Sequence, residues 1–312
     1  MSNKFRSLFA VWMAIFAVGV CIAVPLVTYL ILYQIDPTTS FYYDNATLVP
    51  VINGFLIVLT VLLVIPGFIK KANAPQGRLP KKQPVLAFFS LLFAVLLLIY
   101  SAWVAYHSVS GKPDLGALLT GVTGLLGTLF FFFFGIDLLL AKRSDLRLVG
   151  LLPVLWGVVN LIVTFMNLTQ VANISQYLYC VLQMVFAILF FYYNARLVGG
   201  VSNGRELNGV FAYGLPCAFY GLLSSLPPIF AHMINPKRGS LLSLQDGTFI
   251  ALSLYILALL ITLLVNKPTA AQTETSVAVS AEQSAGTPGP TQTEQPSLND
   301  NPLSNNKPES GI

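Results

Sequence analysis

The sequence predicts an all-α fold, a polytopic transmembrane bundle of about eight helices, and three observations predict it. Long apolar runs recur from Leu8 to Val265. Hydrophobic residues make up 55% of the 312-residue chain and charged residues 9%. Lys and Arg collect in every second gap between the runs. A soluble domain carries about 25% charged residues, so this surface is built for lipid. A helix that crosses a hydrocarbon core of ~30 Å needs ~20 apolar residues, and it satisfies its own backbone polar groups there.

The first run, about 8–33, follows Lys4 and Arg6 and contains Pro25. It is too long for the apolar region of a secretion signal and lacks a small-residue cleavage site, so it reads as a retained anchor. The second, about 47–69, ends at Pro66 and Gly67 before the richest basic loop, with Lys70, Lys71, Arg78, Lys81 and Lys82. The third, about 84–106, closes on Trp103, Tyr106 and His107, amphipathic rings suited to an interface. The fourth, about 115–141, carries Gly116, Gly121, Gly124 and Gly127 for close helix packing and then Phe130 to Phe134.

Lys142, Arg143 and Arg147 separate it from the fifth run, about 148–168, which holds Pro153 and Trp156. The sixth, about 176–197, finishes on aromatic residues and Arg196. The seventh, about 209–232, contains Pro216, Pro227 and Pro228, and the eighth covers about 247–265. Basic short loops stay cytoplasmic during insertion, so the cation pattern predicts eight passes with both termini inside. Twelve cations fall on that side before the tail, against Lys112, Lys237 and Arg238 on the other. The last two dissent, and they leave open a re-entrant seventh segment.

The helical bundle is thus expected over 1–266. Residues 267–312 turn to Thr, Ser, Pro, Gln and Glu and are expected to form a disordered cytoplasmic tail. Two cations against five anions leave the tail at −3, so the membrane body carries +8 and the whole chain +5. Those body cations lie beside membrane ends, where anionic headgroups are the natural partners; nucleic acid is not needed to explain them. Cys21, Cys180 and Cys217 lie in three different runs with no CxxC or metal-ligand spacing. His107 and His232 are the only histidines, and both are placed near the outer surface without matched ligands. No metal and no cofactor are expected.

An ionisable side chain inside a membrane run is a functional candidate, because burying its charge costs about 3 kcal/mol. Asp137 is the one well inside a run, about a turn from the cytoplasmic end. It suits either a relay or an anchor drawn toward Lys142 and Arg143. Asn53, Asn160, Gln183 and Ser224 are the uncharged polar residues that would line a path with it, or bond neighbouring helices together. Pro216, Pro227 and Pro228 make the seventh run the candidate hinge or discontinuous helix, since each proline removes a backbone donor.

Walker A, HExxH, GxSxG and aspartate-rich prenyl-phosphate motifs are absent from the sequence, so no enzyme is expected. The expected function is that of a non-catalytic membrane sensor, scaffold or regulatory accessory protein, its partners the lipid bilayer and a cytoplasmic protein bound through 268–312. The competing expectation is a transporter or channel for a small uncharged or apolar solute. The expected residence is a bacterial plasma membrane.

Overall fold

The computed structural model describes residues 3–36, 42–43, 48–68, 82–110, 114–141, 146, 148–168, 175–199, 206–237 and 241–265. The expected tail and most of the basic loops lie outside them. The described residues form eight α-helices: α1 (Asn3–Tyr33), α2 (Leu48–Val64), α3 (Pro84–Ser110), α4 (Leu115–Leu140), α5 (Leu152–Leu168), α6 (Ser175–Val198), α7 (Glu206–Ile234) and α8 (Leu244–Val265). Short 3-10 turns follow α2 (Ile65–Phe68) and precede α5 (Val149–Leu151). There is no strand among these residues, only one antiparallel bridge between Ile35 and Tyr42.

Seven of the helices are long and apolar enough to cross a membrane, which makes this a multi-pass membrane architecture. The exception is α2, whose 17 residues reach about 25 Å at 1.5 Å per residue; α5 is equally short but is extended by the turn before it to a span over Val149–Met166. The α-helix stops at Val64 rather than running to residue 69, and Pro66 supplies the reason: its nitrogen cannot bond the Leu62 carbonyl. The Trp12 Nε1–H of α1 donates to that carbonyl at 2.8 Å instead.

The helices alternate in direction, as their end contacts show. The Gln83 amide before α3 donates to the Leu138 carbonyl near the end of α4. Phe9 on the first turns of α1 meets Phe211 at the start of α7 with ring centres 4.1 Å apart. We call this the basic end, after the cations in its loops.

Six helices close a ring. Each of α3 to α8 packs on the next in sequence, and α8 returns to α3. The α1–α2 hairpin lies outside the ring, against α7. α7 is therefore enclosed by α1, α2, α6 and α8, and most of its length is buried.

The seventh run, expected to span with a re-entrant or discontinuous form left open, is one continuous helix able to cross. Pro216, Pro227 and Pro228 all lie inside one uninterrupted helix of 29 residues, about 43 Å long by its rise. That is long enough to cross without re-entering. A proline φ near −65° is helical, so what each proline removes is a hydrogen bond and not the helical path. Packing on neighbouring helices is what holds such a helix together in lipid.

The α3–α4 seam uses glycine as the sequence suggested. A Cβ at Gly121 would lie 2.8 Å from the Ala105 Cβ and 2.9 Å from the Ser101 carbonyl oxygen. One at Gly124 would collide with Ser101 Oγ. Gly127 faces α5 instead, 3.6 Å from the Trp156 Cβ.

Candidate functional site

The interior of the ring has two storeys. Toward the basic end it is filled by aromatic side chains from five helices. Phe131 of α4 stands edge-on to Phe93 of α3 at 4.6 Å, to Tyr255 of α8 at 5.2 Å and to Phe191 of α6 at 5.7 Å. Trp156 of α5 completes this layer, 6.3 Å from Phe191. Edge-to-face packing at these separations is the favoured aromatic geometry, and the layer forms an aromatic floor for the residues above it.

Toward the other end, the same faces turn polar. Helical spacing carries the face of Phe93 to Tyr100 seven residues on, that of Trp156 to Asn160 four residues on, and that of Phe190 back to Gln183. Ser224 of α7 donates to the Gln183 Oε1 at 3.3 Å. Cys180 lies one turn before Gln183 on the same helix. Asn160 donates from Nδ2 to the Met184 Sδ at 3.2 Å, and a thioether is a weak acceptor. Gly221 makes room where α6, α7 and α8 meet. A Cβ there would strike Ser253 Oγ and lie 2.9 Å from Gln183 Nε2.

Of the residues the sequence singled out, the structure therefore joins Gln183 to Ser224 and ties Asn160 of α5 to Met184, the residue after Gln183. Asn53 reaches the same stretch of α6 from outside the ring, accepting from the Tyr179 hydroxyl at 3.2 Å. A second bond ties α2 to α7, between the Thr60 and Tyr220 hydroxyls at 2.7 Å. Asp137 is elsewhere. It is half-buried three residues before the end of α4, while Gln183 is 15 residues from the matching end of α6. That is a separation of roughly 20 Å along the bundle. Lys142 and Arg143 lie outside the described residues. Pro216, Pro227 and Pro228 are buried in α7.

The histidines do not meet. His107 is exposed on α3 with its ring 4.1 Å from that of Trp103. His232 is on α7, which α8 separates from α3 in the ring. Among the described residues, no three His, Cys, Asp or Glu side chains are grouped to hold a metal ion. Cys21, Cys180 and Cys217 are free thiols on α1, α6 and α7.

Three further residues belong to the polar storey and were not picked out by residue type. Ser101 Oγ, Thr120 Oγ1 and Trp156 Nε1 are buried atoms with no hydrogen-bond partner among the described residues. They come from α3, α4 and α5 around Gly124, whose absent side chain leaves Ser101 Oγ and the Trp156 Cδ1 on its flank. Gln183 Nε2 and Ser225 Oγ are also buried and unpartnered. The legible signal for Trp156 was its place four residues before Asn160, on one helix face.

At the basic end the one ion pair among the described residues joins Arg196 of α6 to Glu206, the first residue of α7, at 3.0 Å. The carboxylate is 4% exposed and the guanidinium 26%. Arg196 also lies over the Tyr192 ring, 5.6 Å from its centre.

Comparison with family models, with curated proteins and with solved structures found no match for this chain.

Proposed function

We propose that this chain is a non-catalytic regulatory membrane protein, a sensor or scaffold, in which the six-helix ring is the receiving element and the tail is the output. The observation that carries the reading is the aromatic layer across the ring. Its rings pack edge to face at 4.6 to 5.7 Å, and a ring filled in this way suits reception better than conduction. The cation bias supports an orientation with the basic end and both termini in the cytoplasm, so the polar storey faces the opposite side. Residues 268–312 are polar and acidic and suit a cytoplasmic protein partner. Helices rather than barrel strands, together with that bias, support residence in a bacterial plasma membrane.

The polar storey itself favours a second reading, uptake of a small neutral solute by a ring that opens its floor, with Asp137 near the exit. Two experiments separate them. The first is crosslinking and affinity purification from native membranes with the full chain and with a chain ending at Lys267. The regulator predicts a specific partner captured by the full chain and lost on truncation. The second is solute uptake into proteoliposomes. Transport predicts a saturable flux that Asp137→Asn abolishes, and that result together with no partner in either form overturns the regulator.

A further inference from the structure

No further inference is drawn: the strongest candidate, the buried side-chain cluster where α6, α7 and α8 meet, with Gln183 Nε2 and Ser225 Oγ unpartnered among the described residues beside the Gln183–Ser224 bond, carries nothing because the structure shows neither room for a ligand there nor a second arrangement that would satisfy those atoms.

Discussion

At the scale of single residues, the glycines divide sharply. Gly54 on α2 has nothing within 4 Å of a Cβ built on it, while at Gly121 the backbone of α3 is 2.9 Å away. Gly54→Ala should raise stability by roughly 0.5–1 kcal/mol through the helix propensity of alanine. Gly121→Ala should lower it by about 1–3 kcal/mol, because α3 has to move. Thermal unfolding midpoints of the two variants in one detergent check this, and equal shifts would contradict the seam. The sequence showed that glycines crowd α4. It did not show which helix each one faces, since that depends on a neighbour's azimuth and not on spacing within α4.

Helices are where local and distant sequence trade control. Pro66 ends the α-helical part of α2, an effect legible at once, but the group that answers its lost hydrogen bond is Trp12, fifty residues away. Trp12→Phe should cost about 1–3 kcal/mol, the desolvation of an unpaired carbonyl. With Pro66→Ala the backbone donor returns, so the same Trp12→Phe change should then cost much less. A double-mutant cycle on unfolding free energy measures that coupling. α7 teaches the converse. Three prolines in its sequence argue for interruption, and burial on several sides keeps it whole.

The Arg196–Glu206 pair, linking α6 to α7, gives an asymmetric expectation. Arg196→Met takes away the cation seen to pair with a carboxylate that is 4% exposed, and it should cost the more of the two, since burial makes that charge the harder one to deprive. Glu206→Gln leaves a guanidinium that water reaches, and it should cost clearly less. Chemical denaturation of both variants tests the order, and the reverse order would show that the pair is not what steadies the start of α7.

For the whole molecule, run length and polarity made the all-helical, multi-pass architecture legible, because lipid imposes a length that sequence cannot hide. Ring closure was not legible. The return of α8 to α3 joins segments far apart in the chain, and nothing periodic announces it. The candidate site was legible in part: Gln183, Ser224 and Asn160 are polar residues in apolar runs and stood out, whereas Trp156, Ser101 and Thr120 are ordinary there until their partners are known. Asp137 stood out most and lies farthest from that storey. Removing 268–312 should leave the unfolding midpoint of the bundle unchanged, since those residues lack the apolar content to build a core. A fall of several degrees on truncation would show that the tail supports the fold.

The bond between Thr60 and Tyr220 spans 160 positions of chain, and that span has a meaning in time. A ribosome adding about 5–20 residues each second delivers α7 roughly 8 to 32 seconds after α2. Through that interval the hairpin sits in the bilayer with Thr60 held by its own helix at the Leu56 carbonyl and its tyrosine not yet made, while Asn53 meets Tyr179 somewhat sooner. Assembly must therefore begin with an early pair of helices that stays soluble in lipid alone and is captured late by the penultimate one. Any nascent chain arrested before Tyr179 should expose Asn53 and Thr60 alike to whatever insertion factor is at hand.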